Sequence, residues 1–241
     1  MRTPDASGLL DMWERGLDLA SPQRSLALLA LAHPNAPRDE LTALSLGQCD
    51  ALLLCLRERL FGARLDFVAS CPACASVVES TLDVAGLQLD LPSPSLQTLR
   101  MDERSITFRV PTLGDLISLP GNPVEARRVL VSRCLASAAP DSDAAQTTNV
   151  LSAQAIDAIS TAMRAADPTA MADLALACPA CGEHWQVGLD IATFLWREID
   201  SWARRTLRDV HALARAYAWS ERDVLALSPT RRQMYLELSR A

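Results

Sequence analysis

Cys71-Pro72-Ala73-Cys74 and Cys178-Pro179-Ala180-Cys181 are one tetrapeptide met twice in a chain of 241 residues. Apolar residues recur on both sides of each copy: Leu65, Phe67 and Ala69 before the first, Leu174, Leu176 and Ala177 before the second, then Val77, Val78 and Leu82 after the first and Trp185, Val187 and Leu189 after the second. This pattern predicts strand, knuckle, strand, made twice. The likeness extends further, since Asp83 and Asp190 each stand twelve positions beyond the first cysteine of their copy. Two C-x-x-C turns, each holding both sulfurs on one side, can complete a tetrahedron of thiolates around Zn²⁺. Cys71, Cys74, Cys178 and Cys181 are therefore the expected metal ligands. With four protein ligands no coordination position is left for substrate, so the expected zinc is structural.

Two other readings compete. A single C-x-x-C lowers a thiol pKa and serves redox chemistry, but such a site opens a helix after a strand, whereas both copies here sit between strands. Four small buried cysteines without a metal are the plainer alternative. His184 has the right chemistry to replace a thiol, yet a histidine on a strand is more often a polar-face residue.

Working outward, residues 9–57 predict three helices. Leu9, Leu10, Trp13, Leu17 and Leu19 recur at near-helical spacing, and Ser21-Pro22 offers a cap and a first-turn proline for a helix that His33-Pro34 stops. The third begins near Ser45 or Gln48, with Leu52, Leu53, Leu56 and Leu60 inward and Arg57, Glu58 and Arg59 in solvent. Cys49, Cys55 and Cys134 stand alone in helical patterns and are expected to be buried. Beyond the first knuckle, Leu91-Pro92-Ser93-Pro94-Ser95 reads as a linker, and alternation through Leu99, Met101, Ile106, Phe108 and Val110 predicts a hairpin across Asp102-Glu103-Arg104. Short helices are expected after Pro111-Thr112, over Val124–Ala136 with Val129, Leu130 and Cys134 inward, and from a Ser152 cap to Asp167-Pro168. The polar stretch 138–149 predicts a mobile loop.

After the second knuckle comes the longest helical pattern, with Asp190 as its expected cap. Ile191, Leu195, Ile199, Trp202, Val210, Leu213 and Tyr217 form its stripe, interrupted by Thr206, and Asp200–Arg204 and Arg205–Asp209 are i,i+4 pairs. Ser220 with Asp223 has the form of a capping box, and Ser228-Pro229 starts a last helix expected to turn Met234, Tyr235 and Leu238 to one side. The expected fold class is α+β and mostly helical. It comprises N-terminal helices (1–60), a zinc-ribbon-like pair of knuckles in two halves (61–90 and 171–190), an α/β insertion (91–170), and a long helix followed by two short ones (191–241).

Charge narrows the function. All 23 basic residues are arginine and the net charge is −6, which disfavours a general nucleic-acid binder. Residues 190–241 carry nine Arg against seven Asp and Glu, a mildly basic tail on an acidic body that suits protein contact. The start of the chain lacks the charged and apolar regions of a signal peptide, and the apolar runs are too short to span a bilayer, so a cytoplasmic protein with reduced thiols is expected. Three histidines and nine glycines provide no H-E-x-x-H, G-x-S-x-G or phosphate loop, and an enzyme is not expected.

The tail, with Ala216-Tyr217-Ala218-Trp219-Ser220-Glu221-Arg222-Asp223-Val224-Leu225-Ala226-Leu227-Ser228-Pro229-Thr230-Arg231-Arg232-Gln233-Met234-Tyr235-Leu236 at its heart, resembles the T4-type bacteriophage baseplate protein family. Leu9-Leu10-Asp11-Met12-Trp13-Glu14-Arg15-Gly16 and the doubled Cys-Pro-Ala-Cys are similar to the bacterial members associated with phage-tail-like contractile injection systems. The resemblance covers both ends and the knuckles, and hardly the insertion between 90 and 170. It implies a component or assembly factor of a baseplate or hub, contacting other baseplate, hub, spike or tube proteins, in the cytoplasm or the assembled particle. It brings no catalytic residues. The residues expected to face a partner are Trp202, Arg205, Trp219, Arg231, Arg232 and Tyr235. The alternative is a zinc-ribbon nucleic-acid-binding or regulatory protein, with Arg231 and Arg232 in the first turn of a recognition helix.

Overall fold

The computed structural model describes residues 1–84, 96–101, 104–136, 151–170 and 172–239. The fold is α+β and mostly helical, with three separate two-stranded antiparallel sheets among the described residues. The chain divides into two compact units, residues 35–191 and residues 1–34 with 192–241. The first two predicted helices fall in the unit that also holds the tail, and the third falls in the other.

In the unit 1–34 with 192–241, α1 (Ala6–Gly16) is capped by Asp5, whose carboxylate accepts from the Gly8 N–H at 2.8 Å. It buries Leu9, Leu10 and Met12, while Leu17, expected inward, is 42% exposed past the helix end. In α2 (Ser21–Ala32) the cap position is Ala20, with no side-chain bond, so Ser21 is the first helical residue and not the cap. His33 ends that helix as expected, its Nδ1 3.2 Å from the Leu29 carbonyl. The long helix α8 (Ile191–Tyr217) buries Leu195, Ile199, Ala203, Thr206, Val210 and Leu213, which follow one another at steps of three and four. Thr206 therefore continues the stripe that it was expected to interrupt. Asp200 pairs with Arg204 at 2.9 Å and accepts from the Trp13 indole N–H, also at 2.9 Å, tying α8 to α1.

The tail continues as α9 (Glu221–Ala226) and α10 (Pro229–Leu238). Ser220 and Asp223 form the capping box, since aspartate is long enough to reach back to the Ser220 N–H at 3.0 Å. Val210, Leu213, Val224 and Leu236 make the core here, beside the rings of Tyr217, Trp219 and Tyr235. The expected inward face of α10 is corrected: Met234 and Leu238 are 60% and 65% exposed, while Leu236 and Arg232 are buried. Arg232 and Leu236 stand one turn apart on the buried face of α10, with Tyr235 packed half-buried against the same core.

In the unit 35–191, a short helix α3 (Arg38–Thr42), unforeseen between Pro37 and the Ser45 cap, precedes α4 (Leu46–Phe61). Three distant segments converge on the start of α4: Ser45 bridges Thr112, the Leu46 N–H donates to the Pro111 carbonyl at 3.2 Å, and the Gly47 N–H donates to Asp167 Oδ2 at 2.8 Å. Two expectations on α4 are reversed. Arg57 is buried, with Nη1 donating to the Gly62 carbonyl at 2.7 Å beside the turn that ends the helix, and Cys55 is exposed. Within the insertion, β3 (Gln97–Met101) and β4 (Arg104–Phe108) form the expected hairpin, whose turn residues Asp102 and Glu103 lie outside the described residues. So do the predicted linker 91–95 and loop 138–149. Then come α5 (Leu113–Ile117), α6 (Pro123–Cys134) and α7 (Ala153–Ala166), capped by Thr112, Asn122 and Ser152. Phe108, Val131, Cys134, Ile159 and Met163 are their shared core, with Val129 and Leu130 only half-buried.

Candidate metal centre

The two knuckles are built alike. β1 (Arg64–Ser70) pairs with β2 (Val77–Asp83), and β5 (Asp173–Ala177) with β6 (His184–Gly188), each antiparallel with alternating burial. In the first turn the Ala75 N–H donates to the Cys71 carbonyl at 2.9 Å and the Cys71 N–H to the Ser76 carbonyl at 2.9 Å. The second repeats this, Gly182 to Cys178 at 2.9 Å and Cys178 to Glu183 at 2.8 Å. Both need a left-handed residue four positions after the first cysteine: Gly182 has φ +75° and Ala75 φ +59°. Glycine adopts this freely, whereas alanine is strained there by about 1–2 kcal/mol. The doubled spacing revealed the cysteines, and aligning the two copies at that offset also singles out Ala75, a position to which the sequence reading assigned no role.

All four Sγ atoms lie within 4.8 Å of one another. Each close pair joins the two knuckles: Cys71 Sγ to Cys181 Sγ is 3.7 Å, and Cys74 Sγ to Cys178 Sγ is 3.6 Å. A disulfide needs about 2.05 Å. A tetrahedron with metal–sulfur bonds of about 2.3 Å has edges of about 3.8 Å. The thiols are thus spaced for a shared ion and not for a covalent link.

Cys71 and Cys178 are buried, with Val78 and Trp185 packed against them, while Cys74 and Cys181 are exposed. Ser76 was not foreseen as a partner of the site. Its hydroxyl lies 3.2 Å from Cys74 Sγ, and that hydroxyl, the Ser76 backbone N–H and the neighbouring thiols hold Cys74 down at about 6. Cys181 is drawn down by the Glu183 N–H, but the thiols of Cys74, Cys178 and Cys71 outweigh this and push it up to about 12. Four sulfurs this close cannot all ionise without a cation among them. The lone buried thiols differ: burial first, then Asp50, pushes Cys49 up to about 12, and burial first, then Asp115, pushes Cys134 up to about 11. His184 is exposed on β6, paired across the ladder with Ala177.

The six residues expected to face a partner divide. Trp219 stacks on Tyr217 with ring centroids 4.8 Å apart, and Tyr235 meets both rings edge-on, at 4.9 Å from Trp219 and 5.8 Å from Tyr217. Trp202 is half-buried, and Arg205 and Arg231 are exposed. Arg232 is only 7% exposed, so it is not a solvated first-turn residue of a recognition helix.

Two matched hairpins, drawn from either side of an inserted α/β segment, bring together four thiols that could hold one metal ion. Residues 33–196 match the T4 bacteriophage base plate protein family, and the chain belongs to this family. No curated protein and no solved structure matches it. The matched stretch takes in both knuckles and the whole insertion, and leaves out all of α1 and α2 and nearly all of the tail. The match shares the knuckles with the resemblance read from the sequence, and adds the insertion that the resemblance hardly covered. No helix among the described residues is long and apolar enough to cross a membrane.

Proposed function

We propose that the protein is a structural component or assembly factor of the baseplate or hub of a phage-tail-like contractile injection system, and that its four cysteines hold a structural Zn²⁺. Family membership supports the first half. The observation that carries the second is the set of four thiols within 4.8 Å, contributed by two knuckles more than a hundred residues apart. A tetrahedral set of four sulfurs suits zinc or iron, and zinc is the redox-inert choice for a site whose work is to hold segments together. Four protein ligands leave no open position, which supports a non-catalytic role. The partners are other baseplate, hub, spike or tube proteins, and the protein works in the bacterial cytoplasm, the assembled particle or both.

The test is affinity purification from a bacterium making the particles, without chelators, followed by metal analysis and identification of copurifying proteins. One zinc per chain together with tail, tube or hub proteins is the expected result. Less than about half an equivalent of zinc, or iron in its place, overturns the metal assignment. Copurification with nucleic acid and no tail protein overturns the assembly role.

A further inference from the structure

In the unit formed by residues 1–34 and 192–241, a cleft of about 850 Å³ runs between α8 and the segments α9 and α10. Its charged lining is three arginines, Arg205, Arg208 and Arg232, against one carboxylate, Asp209. Trp202 and Leu225 supply apolar wall. Arg232 is the unusual member. It is buried, its Nη2 makes a long bond of 3.4 Å to the Leu227 carbonyl, and its Nε is buried without any hydrogen-bond partner. No carboxylate among the described residues lies within ion-pair distance of it. Arg205 and Arg208 are exposed and have no ion-pair partner among the described residues, and the i,i+4 pair expected between Arg205 and Asp209 is not formed.

A buried cation with neither an anion nor a full set of acceptors costs free energy that the unit does not recover internally. The guanidinium fork matches a planar carboxylate or a phosphate. Between these two the apolar wall decides: Trp202 and Leu225 line the cleft beside the arginines, and a peptide carries aliphatic atoms to cover them where a phosphate backbone does not. We propose that this cleft seats an acidic peptide segment of a partner protein, with a Glu or Asp side chain pairing with Arg232 and held at the rim by Arg205 and Arg208. The segment's apolar atoms lie against Trp202 and Leu225. This goes beyond the assembly role by naming the partner's chemistry, and it stands whether or not the knuckles hold zinc.

The experiment uses the full chain and fluorescein-labelled probes: a ten-residue oligoglutamate, a ten-residue oligoglutamine and a ten-nucleotide oligothymidylate, each titrated by fluorescence anisotropy at low and moderate salt. Oligoglutamate should bind at least tenfold more tightly than oligoglutamine and weaken as salt rises. The double variant Arg205→Gln/Arg208→Gln should lose at least tenfold in oligoglutamate affinity with its melting temperature unchanged. Arg232→Met should lose the same binding while melting at or above the wild-type temperature, because it removes an unpaired buried charge. Equal affinity for the two peptides, tighter binding of oligothymidylate, or full binding by the double variant overturns the proposal.

Discussion

Cys178→Ser is the perturbation that weighs the clasp most directly. Cys178 is 3% exposed, and its sulfur meets that of Cys74, 104 positions earlier. A link closing a loop of about 100 residues removes chain entropy worth about 4.7 kcal/mol from the unfolded state. For a metal clasp this is a ceiling, because one C-x-x-C still holds some metal in the unfolded chain. Losing about 4 kcal/mol lowers the melting temperature of a chain this size by roughly 8–16 °C. The assay pairs metal analysis with thermal melts of the wild type, the wild type stripped by chelator, and the variant. The stripped wild type and Cys178→Ser should melt together, since both have lost the same link, and chelator should not move the variant further. Cys55→Ser, at an exposed and solitary thiol, should match the untreated wild type. A variant that keeps a full equivalent of zinc and melts with the wild type refutes the clasp.

Three further outcomes follow from other parts of the fold. Ala75→Gly should stabilise by about 1 kcal/mol and Gly182→Ala should destabilise by about as much. A Cβ at Gly182 meets nothing within 4 Å, so denaturant midpoints there report backbone strain alone, and shifts of the same sign would refute the left-handed assignment. A Cβ on Gly47 would overlap the Asp167 carboxylate that accepts its N–H, so Gly47→Ala should cost about 2–3 kcal/mol in urea unfolding, and a loss under about 0.5 kcal/mol would contradict that packing. Asp115 accepts from Arg109 Nη1 at 2.6 Å and Nη2 at 2.9 Å; burial alone would raise its pKa, but Arg109 and Thr112 lower it below 3.8. The unfolded carboxyl then takes up its proton first, so the contribution of this pair is present above about pH 4 and fades as the pH falls through the lower folded value. Asp115→Asn should cost about 1–2 kcal/mol at pH 7, discounted for the half-exposed arginine, and flatten the acid limb; an unchanged limb in pH-dependent melts would count against it.

Much of this was legible before any coordinates. The C-x-x-C repeat, the alternation around it, the Ser152 and Ser220 caps and the long stripe of α8 depend on residues a few positions apart, where local sterics and hydrogen bonding decide the outcome. Arg57, Cys55 and Thr206 were read the wrong way, since a side chain on a helix shows nothing in sequence about what packs over it. Ser76 needed the turn to close before its hydroxyl had a neighbour.

By itself the sequence determined the class of fold, the four candidate metal-binding thiols and their grouping into two turns, because the spacing of cysteines within a turn is a covalent constraint. Only the tertiary structure decided that the two turns meet, with sulfurs 3.6 and 3.7 Å apart across residues more than a hundred positions distant. It also decided that Arg232 lies buried with no anion beside it among the described residues. Such proximities arise from how separate elements pack to remove apolar surface from water, and no local pattern encodes which distant residues that packing will bring together.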